Sequence, residues 1–276
     1  MAELSVSTDG RTLHAHDTGT GGFPVFWLHG TPNTGAPPEP LFADADRLGL
    51  RWVSYDRPGY GGSTRTPGRD VASAARDVAA VADALGLDRF AVVGHSGGAP
   101  HALACAALLP SRVTAAVVSA GLAPYDGFTA AGLDWFAGMA ASGVGSLRAA
   151  LAGRAEKEAH EAAGVEYNPE FTDADLAALD GPWSWFERVV GPALAGGPGG
   201  LVDDDLAYVN PWGFDPGPLE VPALFLHGVR DRVVPAEHSE WLSARCRAEL
   251  RLFPSDGHIS VLRHMPDALD WIARHR

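Results

Sequence analysis

The apolar run Phe90-Ala91-Val92-Val93 leads directly into Gly94-His95-Ser96-Gly97-Gly98 and then into an alanine-rich stretch, Ala99 to Leu109; this segment constrains the fold more than any other. A short apolar run bounded by glycine reads as a buried strand, and the alanines after it read as a closely packed helix. Small residues at 94, 97 and 98 let the backbone turn sharply between the two without side-chain clashes. Such a turn holds Ser96 exposed at its tip. The helix starting near residue 97 aims its free N–H groups and positive dipole end at the same point. A serine hydroxyl is a poor nucleophile in water and needs an adjacent base and donors for the developing oxyanion, so this geometry marks Ser96 as a candidate nucleophile.

The rest of the chain supplies a sheet for that turn to sit on. Leu4 to Ser7 and Thr12 to Asp17 flank Thr8-Asp9-Gly10, a strong hairpin signal that predicts an antiparallel opening pair. Buried strands are predicted at Val25 to Leu28, Trp52 to Tyr55, Phe90 to Val93, Val113 to Ser119, Ala223 to His227 and Glu249 to Phe253. Helices are predicted over Pro40 to Leu48, Val71 to Leu85, Ala99 to Leu109, Ala236 to Ala244 and Ser260 to Ala273. Apolar strands alternating with helices imply an α/β fold with a mostly parallel, eight-stranded sheet covered on both faces.

One stretch breaks that alternation. Between Ala123 and Pro218 several helical pieces occur, with a Gly/Pro cluster at Gly196 to Gly200, and Asp203-Asp204-Asp205 reads as the acidic cap of a further short helix. A structureless loop of this length is improbable in a compact domain. The expected organisation is therefore a core over residues 1–122, a helical cap over 123–218 and the remainder of the core over 219–276. The insertion carries Trp135, Trp183, Trp185 and Trp212, four of the eight tryptophans, which together suggest an apolar substrate pocket.

Bulk composition removes several classes of function. Acidic residues number 34 against 21 basic ones, a formal charge of −13, and no Lys/Arg-rich run offsets it, which argues against nucleic acid or an anionic membrane as partner. Cys105 and Cys246 lie far apart without metal-ligand spacing and read as buried spectators. The first residues carry no basic segment followed by an apolar one, and no run of 18 apolar residues occurs, so a soluble, cytoplasmic protein is expected. Linear spacing reveals no His/Asp/Glu metal cluster, so neither a metal nor a cofactor is expected in catalysis. Nothing in the sequence sets an oligomeric state.

Four ordered motifs resemble those of the α/β-hydrolase superfamily, in particular its capped serine hydrolases such as small esterases, proline iminopeptidases and the cofactor-free haloperoxidases. They are His29-Gly30-Thr31-Pro32, Tyr55-Asp56-Arg57-Pro58-Gly59-Tyr60-Gly61-Gly62-Ser63, the serine turn, and Asp231 followed by Gly257-His258. The resemblance implies Ser96 as nucleophile, His258 as general base and Asp231 as the acid that orients the imidazole. His264 and His29 are rivals for the base, and Asp126 and Asp256 for the acid. Thr31 and Gly97 are expected to supply the oxyanion-hole N–H groups, since Pro32 has no amide proton to offer. Arg57 reads as an internal ion-pair partner.

Serine at the turn disfavours the halide-displacing and epoxide-opening chemistry for which relatives use aspartate. The expected reaction is acyl transfer from a small apolar ester, thioester or lactone to water. An aminopeptidase of the proline iminopeptidase type is the alternative enzyme, with Glu156, Glu158, Glu161, Glu166 or Glu187 holding a substrate ammonium. Against it, Gly97 stands where those relatives usually have tryptophan. A ligand-sensing binding protein that retains the hydrolase pocket is the alternative from another class.

Overall fold

The computed structural model describes residues 1–19 and 21–276. The chain opens with β1 (Ala2–Thr8) and β2 (Arg11–Asp17), paired antiparallel across Asp9 and Gly10, whose φ values of 48° and 74° are the left-handed pair that a two-residue hairpin needs. Six more strands follow: β3 (Phe23–Leu28), β4 (Leu50–Tyr55), β5 (Phe90–His95), β6 (Val113–Ser119), β7 (Ala223–Gly228) and β8 (Glu249–Phe253). They form one eight-stranded sheet in the order β1-β2-β4-β3-β5-β6-β7-β8. β2 joins β4 antiparallel, and every pairing from β4 to β8 is parallel.

Alternation along the central strands divides the core in two. Phe26, Leu28, Phe90, Val92 and Phe225 face one side, against helices Ser73–Ala84, Gly98–Leu108 and Glu237–Cys246. Val25, Trp27, Ala91, Val93, Leu224 and Leu226 face the other, against helices Phe42–Arg47 and Met265–Ala273. Strands this apolar on both faces have to be covered on both faces. The helix expected over Ser260 to Ala273 divides into a 3-10 turn, Ser260–His264, and a helix whose second residue, Pro266, lacks an N–H that the first helical turn does not need. Cys105 and Cys246 are both free and buried. Among the described residues no helix is long and apolar enough to cross a membrane.

Between β6 and β7 the chain forms no strand but six α-helices and one 3-10 turn. The last of these helices, Gly199–Val209, corrects the reading of Asp203-Asp204-Asp205 as a helix cap: the three aspartates lie inside it and are all buried. Each is stabilised there by cations brought from distant sequence. Asp203 pairs with Arg65 and Arg154 at 2.7 Å, Asp204 with Arg57 at 2.7 Å and with Arg69, and Asp205 with Lys157 at 2.5 Å. Burial alone would raise the Asp204 carboxyl, but Arg57 and Arg69 outweigh it and hold the group well below the usual carboxylate range.

The arrangement predicts unequal losses from chemically similar substitutions. Asp204→Ala leaves Arg57 and Arg69 buried without a counter-ion and should cost about 3–5 kcal/mol in urea unfolding. Asp203→Ala should cost less than about 1 kcal/mol, because Arg65 and Arg154 remain 40% and 35% exposed and stay hydrated. Because the folded-state pKa of Asp204 is depressed, its contribution is present above the unfolded-state pKa near ~4 and fades as the pH falls below it. Equal losses in the two variants, or a loss in Asp204→Ala that is unchanged by acid, would contradict this account.

Candidate active site

Ser96 occupies the turn between β5 and helix Gly98–Leu108 with φ +54°, a left-handed conformation that is costly for a residue with a side chain. The turn is held from both sides: the Ser96 N–H donates to the Ser119 carbonyl at 2.9 Å, and the Ala99 N–H donates to the Ser96 carbonyl at 3.0 Å. Only glycine fits at the two positions that follow it. A Cβ on Gly98 would lie 1.8 Å from the Leu28 carbonyl oxygen, and one on Gly97 would lie 2.4 Å from Thr31 Oγ1.

Three of the expected residues converge at this turn. His258, in the loop after β8, accepts from the Ser96 hydroxyl at Nε2 (2.9 Å) and donates from Nδ1 to Asp231 Oδ2 (2.7 Å). Asp231, after β7, is fixed by the Val233 and Val234 N–H groups, which donate to its Oδ1 at 2.8 and 2.9 Å. His227 lies on its other side with Nε2 3.3 Å from Oδ2. Burial alone would raise the Asp231 carboxyl, but His258 and His227 outweigh it and keep the carboxylate ionised. The rival acids lie elsewhere. Asp256 pairs with His264 at 2.7 Å and with Arg263, which accounts for the rival base as well, and Asp126 sits in the first turn of helix Tyr125–Ala130. His29 is buried with its Nε2 accepting from the Arg57 N–H at 2.9 Å.

Thr31 and Gly97 both line the cavity in front of Ser96. Among the described residues neither backbone N–H donates to an acceptor within the protein, so both remain available to a ligand. Each residue is anchored to helix Gly199–Val209. Thr31 Oγ1 donates to Asp204 Oδ2 at 2.6 Å and accepts from Arg57 at 2.9 Å, while the Tyr208 O–H donates to the Gly97 carbonyl at 2.9 Å. Arg57 also donates to the carbonyls of His29 and Gly30, the two residues before Thr31.

One positioning contact escaped the sequence reading. Asp175, in helix Asp173–Leu179 of the segment between β6 and β7, is buried and accepts from the Ile259 and Ser260 N–H groups at 2.9 and 2.7 Å and from the Ser260 hydroxyl at 2.8 Å. It grips the residues that follow His258. The available signal was Thr172-x-x-Asp175, which forms a capping box in the structure.

The cavity has a volume of about 660 Å³ and is walled largely by apolar side chains, among them Leu122, Leu147, Phe171, Leu179, Phe186, Val190, Leu194, Val233 and Ile259. The four tryptophans expected to line it do not. Trp135, Trp183, Trp185 and Trp212 are each at most 3% exposed, and none reaches the cavity wall. A buried indole needs an acceptor and a large apolar surface. Trp135 donates to the Ala123 carbonyl at 2.8 Å and Trp212 to the Tyr208 carbonyl at 3.2 Å. Trp185 packs edge-on against Trp27 of the sheet, and Trp183 against Trp185. The aromatic rings that do reach the cavity are Phe171, Tyr167, Tyr208 and Phe186, the last of them the neighbour of that pair.

A polar patch interrupts the apolar wall. Ser146, Glu161 and Asp205 line the cavity and converge on the buried Lys157 ammonium, which donates to them at 2.5, 2.6 and 2.5 Å.

Comparison with known proteins agrees with this architecture. The sequence matches the family profile described as alpha/beta hydrolase fold over residues 24–264. A non-heme chloroperoxidase of Streptomyces lividans is 29% identical over 257 residues, covering 91% of this chain and 90% of the relative. A bifunctional esterase/perhydrolase of Acinetobacter calcoaceticus is 30% identical over 243 residues, covering 86% of this chain and 84% of the relative. A solved thermophilic esterase from Thermogutta terrifontis shares the fold, with a TM-score of 0.71 at 22% identity over the full length of both chains. With the profile spanning most of the sequence and the eight-stranded sheet carrying a serine turn at its centre, the chain belongs to the α/β-hydrolase family and is one of its enzymes.

Proposed function

We propose that the protein is a serine hydrolase acting on carboxylic esters, thioesters or lactones with an apolar acyl group. The observation that carries this reading is the continuous chain Ser96 Oγ to His258 Nε2 to Asp231, at 2.9 and 2.7 Å, opening on a largely apolar cavity. In the reaction Ser96 Oγ attacks the acyl carbon while its proton passes to His258 Nε2. Asp231 stabilises the resulting imidazolium, and the Thr31 and Gly97 N–H groups receive the negative charge on the carbonyl oxygen. His258 returns the proton to the departing alcohol or thiol, and water, deprotonated by the same imidazole, releases the acid. His95, packed 5.0 Å from the His258 ring, does not compete for that proton: burial first, then His258 itself, push its pKa well below the ordinary value.

The aminopeptidase reading draws on the acidic residues of the cavity wall. Of its five candidates, Glu161 and Glu166 line the cavity, and Glu156, Glu158 and Glu187 do not. Glu161 already has a counter-ion in Lys157, which leaves less negative charge for a substrate ammonium and favours the ester reading. A binding protein would need no such nucleophile and base in contact. The relatives named as a chloroperoxidase and an esterase/perhydrolase make hydrogen peroxide an acceptor to test beside water.

A fluorophosphonate should label the protein at one site, and the same preparation should hydrolyse acyl esters faster than aminoacyl amides. Ser96→Ala should abolish labelling and lower kcat by on the order of 10⁶. Labelling that survives in this variant would sink the assignment. Asp231→Asn should lose roughly 10² to 10⁴ in kcat, since the neutral amide no longer fixes the imidazole tautomer, whereas Asp126→Asn and Asp256→Asn should stay within about threefold. A crippled Asp256→Asn beside an active Asp231→Asn would reassign the acid.

Specificity should follow the cavity wall rather than the tryptophans. Leu147→Ala and Leu194→Ala should shift the ratio of kcat/KM between long and short acyl esters by roughly three- to tenfold, the equivalent of about 1 kcal/mol of apolar contact. Trp183→Ala and Trp185→Ala should lower the melting temperature and leave that ratio near the parent value. A selectivity change confined to the tryptophan variants would contradict the assignment of the wall.

A further inference from the structure

At the antiparallel edge of the sheet, register brings together side chains that the sequence keeps apart. Residues two apart on a strand share a face, so His14 and His16 of β2 point the same way. In the pairing, His16 lies opposite Glu3 of β1 and opposite Ser54 of β4, and Asp56 follows β4 two residues beyond Ser54. His14 Nδ1 lies 2.9 Å from Asp56 Oδ2, and His16 Nε2 lies 3.8 Å from Asp56 Oδ1. One ligand atom from each of the three residues falls within 4.8 Å of the others. His14 and Asp56 are 42 residues apart, which is why linear spacing shows no metal cluster.

Two features set this group apart from an ordinary buried ion pair. The His16 side chain is 8% exposed, yet neither of its ring nitrogens has a hydrogen-bond partner. Leaving a buried imidazole unsatisfied is costly, and a ligated cation would remove that cost. The second feature is Glu3, whose Oε2 lies 3.4 Å from His14 Nε2, on the side of the ring turned away from Asp56. A carboxylate on the far nitrogen is the usual device that fixes the tautomer and orientation of a ligating histidine. Asp56 is itself held in place by the Gly35 and Gly62 N–H groups, which donate to its two oxygens at 2.5 and 2.8 Å.

We propose that His14, His16 and Asp56 form a binding site for a divalent transition-metal ion, with Zn²⁺ the best match to two imidazoles and one carboxylate. Mixed nitrogen and oxygen donors favour such an ion over magnesium or calcium, which prefer oxygen alone. A tetrahedral ion at roughly 2.0–2.2 Å from each ligand needs ligand atoms about 3.3–3.5 Å apart, within the range these three span. Solvent completes the coordination, since His14 is 26% exposed and Glu3 60%. The bound ion joins β2 to the loop that begins at Asp56 and carries Arg57, so its role is structural and separate from the serine chemistry.

Calorimetric titration of the full chain with ZnCl₂, together with the visible spectrum of added Co²⁺, tests the site. One equivalent should bind the parent and raise its melting temperature by roughly 5–10 °C once the free ion exceeds Kd about a hundredfold. His14→Ala and His16→Ala should weaken binding at least about 100-fold, and the tetrahedral Co²⁺ band should disappear. Glu3→Gln, an exposed change that leaves the fold alone, should weaken binding roughly tenfold, which keeps the test decisive even where a buried histidine variant does not fold. His258→Ala should bind like the parent, which separates this site from His258 and Asp231. The proposal is overturned when the parent binds no ion, when His16→Ala or Glu3→Gln binds as tightly as the parent, or when His258→Ala is the variant that loses the ion.

Discussion

The buried contact between Arg57 and Asp204 joins two parts of the chain that both reach the residues around Ser96. Arg57 lies in the loop after β4, Asp204 in the last helix before β7, and both are almost fully buried. Burying two charges is costly unless hydrogen bonds satisfy them fully, and here they do. Arg57 spends its remaining donors on the His29 and Gly30 carbonyls and on Thr31, while Asp204 also accepts from Tyr60 and Thr31. The network therefore holds residues 29–31 through the His29 and Gly30 carbonyls and the Thr31 hydroxyl, next to the cavity that Thr31 lines. Four residues along the same helix, and so on the same face, Tyr208 holds the Gly97 carbonyl. One helix face thus positions both Thr31 and Gly97 at the edge of the cavity.

The segment between β6 and β7 contributes at a second point as well. Asp175 binds the backbone just beyond His258, so His258 is positioned from outside the sheet while Asp231 positions it from the strand ends. Ligand sites in parallel sheets form outside the carboxyl ends of the strands, where connections from several strands meet. In this protein those connections are tied to one another by buried carboxylates rather than by apolar packing alone. For the proposed reaction, preorganisation of this kind matters because a displacement of about 1 Å between base and nucleophile can cost on the order of 100-fold in rate.

The sequence made the sheet legible wherever local chemistry fixes conformation. Asp9-Gly10 was legible because a tight hairpin needs left-handed backbone there, and Gly94 to Gly98 because a Cβ at 94, 97 or 98 would come within 2.4 Å of neighbouring atoms. The meeting of His258 and Asp231 with Ser96 was foreseeable through the resemblance of the motifs that carry them. What stayed hidden depends on distant partners. Asp203 to Asp205 read as a surface cap because nothing nearby in sequence reveals five cations arriving from positions 57 to 157. The tryptophans read as pocket lining because composition does not display what buries them: backbone-carbonyl acceptors for Trp135 and Trp212, and ring packing for Trp183 and Trp185. His14, His16 and Asp56 became neighbours only through the β2–β4 register.

The central claim is that Ser96 carries the acyl group between the two halves of the reaction. Rapid quenching in acid after mixing with a slowly hydrolysed p-nitrophenyl ester, followed by peptide mapping, measures this directly. The account predicts a burst of nitrophenol close to one equivalent of enzyme, with the acyl mass on the peptide that contains Ser96. Turnover without an acylated peptide, or an acyl group found on any other residue, would contradict it.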